Sequence, residues 1–311
     1  MGAVPGGEKQ KMKQFFLLCV AFLAPAFLNT AAQTYVARGL VLKVNQPDGS
    51  LLVSCEEIPN VMEAMVMPFS VKNPQEIDQL TVGSMIEFTL VVDGQTSYIE
   101  AIHIRKYQGE QQDPLTAQRL KLMSGIIDPA ATPNQLKNGE QVPDFRLTDQ
   151  AGRRVTLSQF SGKIVVLTFT YTRCVLPNFC FRNSNNLRRL QKRFDDRMGR
   201  ELILMTVTFD PVHDTPEVMA ESAKTWSAVP GRWEFLTGEP AIISSLAGRL
   251  GMAYWPDEGL MNHSLHTAII DRQGKLVANL EGNEYTAHEL GDLVLSVLSQ
   301  TAVEKRPVGT Q

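Results

Sequence analysis

Cys174 and Cys180, with Pro177 between them, stand in a stretch from Ile164 to Asn183 that begins apolar and ends polar. The run Ile164 to Thr170 is β-branched and apolar, the look of a buried parallel strand. After Cys180 the residues Leu187, Leu190 and Phe194 are spaced for one helical face. Two thiols at a strand-to-helix junction meet free backbone N–H groups and the positive end of a helix dipole. That setting favours the thiolate, which binds soft metals and attacks disulfides. A structural disulfide closing a short loop is the other chemistry open to the pair. A second soft set lies upstream: Cys55, Met62, Met65 and Met67. Met65 and Met67 are two residues apart and share one face of a strand. Thioether with thiolate selects Cu(I) among the common metals outside the cytoplasm. The same methionines would equally serve as core filler.

The chain has 311 residues, 43% of them hydrophobic, with a net charge of -3. That is enough for two packed domains and excludes a wholly disordered chain. The charge gives no pull toward nucleic acid, and no nucleic-acid partner is expected. Arg188, Arg189, Lys192 and Arg193 form a dense basic group, read as the solvated face of a helix. Lys9, Lys11 and Lys13 precede an apolar run from Phe15 to Leu28, followed by small Thr30, Ala31 and Ala32. Residues 1–32 therefore read as an export signal, with cleavage after Ala32. The run is shorter than the ~20 residues of a membrane helix, so a membrane is involved only if the signal is retained as an anchor. The expected place is periplasmic, or membrane-anchored on the extracytoplasmic side. With Cys19 in the signal, the exported chain keeps Cys55, Cys174 and Cys180, an odd set that argues against pure disulfide stapling.

The elements that must position these groups follow in order. Residues 35–105 read as short strands over 37–44, 51–55, 66–71, 85–92 and 97–104, with turns at Pro47-Asp48-Gly49 and Asp93-Gly94. They predict a small all-β, OB-like barrel. Residues 106–141 read as a linker in which Asp113 caps a short helix through Leu122. Residues 142–300 alternate strands and helices. A hairpin over 145–148 and 155–157 precedes the strand at 164–170. A strand at 202–209 ends at Asp210, and a helix follows from Asp214, Thr215 and Pro216, with Asp214 and Glu217 at capping-box spacing. A helix over 241–250, a hairpin over 267–270 and 275–280, and a last helix opened by Thr286 and Glu289 complete it. This pattern, with cysteines at a helix start, predicts an α/β thioredoxin-like domain. Residues 301–311 form a tail.

Residues 143–282 resemble the Sco/SenC family of exported copper-binding thioredoxin-like proteins. The marks are Phe145-x-Leu147-x-Asp149-Gln150-x-Gly152, Gly162-Lys163, Phe169-Thr170-Tyr171-Thr172-Arg173-Cys174, Phe209-Asp210-Pro211-x-x-Asp214-Thr215-Pro216-Glu217, Leu236-Thr237-Gly238 and His263-Ser264. By motif position, the resemblance implies that Cys174, Cys180 and His263 bind one copper as Cu(I), with room for Cu(II). It also implies that Asp210 is the acidic residue beside the site. The family's usual spacing puts three residues between the cysteines; here there are five, with Val175 and Phe181 where prolines usually stand. His266 is the rival to His263, and a lone histidine near an apolar strand reads as a packed structural residue. His213 reads as a solvated loop residue or a donor to Asp210, and His103 and His288 carry no assignment. The first 70 residues of the mature chain resemble the small copper-binding barrels of the CusF type, through Gly39-Leu-Val-Leu-Lys-Val, Met65-x-Met67-x-Phe69 and Val82 to Phe88. In that family a His and two Met residues hold Cu(I) beneath a Trp. Cys55 falls about at the His position and Met62 about at the Trp position.

The resemblance implies an exported metallochaperone that delivers copper to cytochrome c oxidase subunit II or another acceptor, and that reduces the acceptor's cysteines if it is redox-active. The alternative is a thiol–disulfide oxidoreductase in which Cys174 and Cys180 cycle with a thiol–disulfide reductant, although the C-x-x-C spacing of that chemistry is absent. A peroxiredoxin-type peroxidase would want Thr or Ser where Tyr171 stands. Periplasmic copper storage or resistance would suit the barrel.

Overall fold

Five antiparallel strands come first: β1 (Gln33–Asn45), β2 (Ser50–Cys55), β3 (Met65–Ser70), β4 (Met85–Asp93) and β5 (Thr96–Ile104). They pair in the order β3-β2-β1-β4-β5. The edges meet where Val71 bridges Ile99 and the Lys72 amide donates to the Ile99 carbonyl at 2.9 Å, closing the sheet into a barrel. In the computed structural model the described residues are 32–105, 135–174, 180–257 and 260–304. The expected signal segment and the helix expected after Asp113 lie outside them.

The α/β lobe follows with β6 (Arg146–Asp149), β7 (Arg154–Thr156), β8 (Ile164–Thr170), α1 (Cys180–Arg193), β9 (Leu202–Thr208), α2 (Pro216–Thr225), β10 (Trp233–Thr237), α3 (Pro240–Arg249), β11 (Tyr254–Asp257), β12 (Leu260–His263), β13 (His266–Ile270), β14 (Leu276–Glu281) and α4 (Ala287–Glu304). The main sheet runs β14-β13-β8-β9-β10-β6-β7, with β8, β9 and β10 parallel. All seven residues of β8 and of β9 are buried, because helices cover both faces. Val165, Leu167 and Phe169 face the layer containing Ile243 and Leu246 of α3. Ile164 and Val166 face Leu187 and Leu190 of α1, Met219 of α2, and Leu290 and Leu293 of α4. The capping box at α4 forms as expected: Thr286 N–H donates to Glu289 at 2.8 Å and Glu289 N–H donates to Thr286 Oγ1 at 3.1 Å. At α2 it does not. Thr215 takes the N-cap position with Pro216 behind it, and Asp214 turns inward.

The barrel and the α/β lobe share a core within one compact unit. On β1, Ala37 and Val41 point into the barrel, while Leu40 and Leu42 join Met85 against Ala278, Leu280 and Leu290. A strand apolar on both faces is the cause. Buried Ser54 Oγ donates to Asp292 Oδ2 at 2.7 Å, and Arg193 holds the other oxygen of Asp292 at 2.6 Å. Arg188, Arg189, Lys192 and Arg193 are all exposed, as expected, and Arg193 reaches from that face into the ion pair with Asp292. Arg105 pairs with Glu284 at 2.6 Å and reaches Glu56 at 3.6 Å.

Glu289 stands among these groups, 1% exposed. Burial is the main cause raising its pKa to about 7; Glu56 adds to the rise, and the Thr286 hydrogen bonds and Arg105 oppose it. The folded carboxyl therefore keeps its proton up to about 7 while the unfolded one releases it near 4.5. The stability this contributes is complete below the lower value and is lost as pH rises through the upper one. Glu289→Gln preserves the cap acceptor and cannot ionise, so its gain over wild type grows between these values to on the order of 3 kcal/mol at alkaline pH. Urea unfolding at pH 4 and pH 8 measures this; equal differences at both would refute the assignment.

Candidate metal centre

The site is built at the C-terminal end of β8. The chain leaves the strand through Tyr171, Thr172 and Arg173 to Cys174, and Cys180 opens α1. Buried Asp214 braces this exit. It accepts from the Thr172 amide at 3.0 Å, from the Thr172 hydroxyl, and from Thr208 Oγ1 at 2.5 Å at the end of β9. One carboxylate therefore ties two neighbouring strand ends together.

His263 comes from the short hairpin β11–β12, where it pairs with Tyr254. The structure brings it to the cysteines: one donor atom from each of Cys174, Cys180 and His263 lies within 4.8 Å of the others. Nε2 is 3.7 Å from Cys180 Sγ. Nδ1 is 2.8 Å from the Ser264 carbonyl, which can only accept, so Nδ1 carries the hydrogen and the Nε2 lone pair faces the thiols. Both cysteines are buried and free of disulfide, and the imidazole is half-buried. His266 goes elsewhere. It is buried at the start of β13 beside Asn279, and burial pushes its pKa down to about 4.

The expectation that the helix start favours a thiolate is corrected at Cys180. Its thiol is held well above the ordinary range, first by its hydrogen bond with Cys174, then by burial and the Cys174 charge, against weaker help from Tyr171 and Thr170. Two buried thiols and an imidazole thus form a set that releases protons when a soft cation arrives. Asp210 lies beside it, bonded to Arg173 at 2.7 Å and to His213 at 2.9 Å. Burial raises its pKa, but the hydrogen bonds from His213 and Arg173, with the Arg173 charge, outweigh that and hold it below the ordinary carboxylate range.

The upstream set lies on the barrel. Cys55 stands opposite Met65 and Val53 opposite Met67 in the β2–β3 register. Met62 and Met67 pack partly buried against the barrel core that includes Cys55, while Met65 is 44% exposed. Burial, Glu289 and Glu56 push the Cys55 thiol up to about 12. A cavity of about 460 Å³ lined by Arg146 and Arg249 holds none of these groups.

Sequence reasoning did not find the hairpin that carries His263. Its signal in the sequence was the turn-forming residue types of Pro256-Asp257-Glu258-Gly259 between the apolar pairs Tyr254-Trp255 and Leu260-Met261, although Pro256 and Asp257 belong to β11. Nor did it assign a role to Phe209, whose ring lies against the imidazole, or to Tyr254, which packs on Phe209.

The chain is similar to known proteins. The profile of the copper-binding periplasmic protein CusF matches residues 34–104. A SCO2-like protein of Rickettsia typhi is 27% identical over 153 residues, covering 46% of this chain and 70% of that protein. Protein sco1 of Schizosaccharomyces pombe is 26% identical over 155 residues, covering 47% of this chain and 56% of that protein. Among solved structures, copper-bound ScoI of Arabidopsis thaliana is 25% identical with a TM-score of 0.46, covering 52% of this chain and 99% of that one. The SCO1/SenC profile matches residues 133–297, just over half the chain and the whole span that carries both cysteines, His263 and Asp210. By that match the chain is a member of the SCO1/SenC family.

Proposed function

We propose that the protein binds copper as Cu(I) at Cys174, Cys180 and His263 outside the cytoplasm and delivers it to the copper centre of a respiratory oxidase, the thiolate site of cytochrome c oxidase subunit II. The observation that carries this is the convergence of two buried thiols with an imidazole whose free Nε2 faces them. Soft, low-coordinate donors suit Cu(I). Cargo that must leave again is best held by few ligands, so that an incoming thiolate can replace an outgoing one. Among the described residues no helix is long and apolar enough to cross a membrane. Titration of the reduced protein with Cu(I) against a competing chelator tests the site; a wild type that takes no tight Cu(I) ends this reading.

The barrel is proposed as a second soft site, with Met62, Met65, Met67 and Cys55 as its ligands. The thioethers need no deprotonation, whereas Cys55 must lose its proton beside two carboxylates. Met65→Leu/Met67→Leu is therefore expected to remove one Cu(I) equivalent and leave the other, in the same titration. Loss of neither equivalent would make the barrel an adaptor.

A thiol–disulfide reductase is the second reading, favoured by the hydrogen bond between the Cys180 and Cys174 thiols. In that reaction the two thiols would give up two electrons and two protons and form one disulfide, while a partner disulfide opens to two thiols. The raised Cys180 thiol is a poor leaving and attacking group near neutrality, which favours the metal reading.

A further inference from the structure

Two aromatic rings, Phe209 and Tyr171, lie against the imidazole of His263, and a third, Tyr254, backs Phe209. Phe209 lies with its ring centroid 4.8 Å from that of His263, at 47°. Tyr171 meets the imidazole edge-on, 5.7 Å away at 82°. Tyr254 packs on Phe209 at 5.1 Å, and Tyr171 on Phe209 at 5.2 Å. Phe209 is the hub, touching all three other rings, and is 2% exposed. The three rings come from separate elements: Tyr171 from the exit of β8, Phe209 from the end of β9, and Tyr254 from β11, the partner strand of His263.

The histidine sits on a two-stranded hairpin outside the main sheet. Such a hairpin is marginal alone. The polar contacts of the imidazole, Nδ1 to the Ser264 carbonyl at 2.8 Å and Nε2 to Cys180 Sγ at a long 3.7 Å, set the tautomer but restrain the ring only weakly about that axis. Aromatic packing at these distances supplies the missing restraint.

We propose that Phe209, backed by Tyr171 and Tyr254, is the positioning residue of the metal centre: it clamps the His263 ring so that Nε2 stays on the two thiols. The proposal rests on the copper reading of the same site, and it names what sets that site's geometry. The clamp ties the hairpin to the ends of β8 and β9 and keeps one side of the imidazole dry. An outer group that orients a ligand in this way changes metal affinity by roughly 10–100-fold.

The test uses Phe209→Leu, which keeps an apolar group in place of the ring, with Tyr254→Leu as a second variant at a less buried position. Two readouts are taken on the full exported chain. The first is the NMR position of the His263 ring protons in the metal-free reduced protein, which feel the ring current of Phe209. The second is Cu(I) affinity by chelator competition. The expected result is a displaced His263 resonance and affinity lowered roughly tenfold, with a smaller shift in the same direction for Tyr254→Leu. Unmoved resonances overturn the clamp. Moved resonances with unchanged affinity overturn it too, since the ring then packs on the histidine without positioning it. Should Phe209→Leu not fold, Tyr254→Leu decides on the same two readouts. If the wild type takes no Cu(I), the copper reading falls and the resonances alone decide whether the clamp exists.

Discussion

Cys174→Ser/Cys180→Ser is expected to remove the tight Cu(I) equivalent proposed for the α/β lobe, weakening binding there by at least about a thousandfold, roughly 4 kcal/mol. A serine hydroxyl is a hard donor that stays protonated, so the soft pair is lost outright and one imidazole remains. The wild-type site also carries a pH signature. The Cys180 thiol is held above its ordinary range by Cys174 and by burial, so it is protonated at neutral pH in the metal-free protein. Copper must displace that proton, and mass action then raises apparent affinity with pH, about tenfold per unit for each proton released. Chelator competition at pH 6, 7 and 8 measures the slope for wild type, and the double variant should show no tight equivalent at any of the three. A flat wild-type curve would mean a preformed thiolate, and the argument from burial would then be wrong.

How much of this was legible depended on whether the cause was local. The strand Ile164–Thr170 was readable because burial on both faces demands an unbroken apolar and β-branched run. The strand Trp233–Thr237 was not, because Glu234 interrupts it. That glutamate is buried at 4% exposure and is held by Gln150 at 3.0 Å and by the Gly231 amide at 2.9 Å, partners that no sequence period reveals. Asp214 had the spacing of a cap, yet its carboxylate is taken by Thr172 and Thr208. Sequence distance also cannot separate His263 from His266, three residues on. The separation is tertiary: one faces two thiols from a hairpin, and the other is buried at the start of β13 beside Asn279. The cysteines themselves were plain from the chain, but their acidity was not, since the helix start argued for a thiolate and burial argued against it. The run Gly39-Leu-Val-Leu lacks the alternation of a half-exposed strand, and that absence reflects the contact between barrel and α/β lobe.

Gly83→Val is expected to cost about 2–5 kcal/mol, the sum of a strained backbone and an overfilled contact. Gly83 has φ +93, where a side chain is disfavoured, and a Cβ there would stand 2.9 Å from Ala278 Cβ and 3.0 Å from Leu280 Cδ2 on β14. Neither neighbour can retreat, because Ala278 and Leu280 are buried in the sheet that supports the α/β core. The barrel must instead be pushed off that strand, uncovering Leu40, Leu42 and Met85. Gly94→Val separates the two causes. It also has positive φ, +60, but no atom within 4 Å of its would-be Cβ, so it carries the strain without the contact. Wild type should unfold in one urea transition, as a shared core requires. Gly83→Val should lose markedly more stability than Gly94→Val and split the transition as the barrel detaches, while keeping the Cys174–Cys180–His263 copper equivalent. Equal losses for the two variants would show that the contact with β14 does not hold the barrel in place, and that the two soft sites are joined by the chain alone.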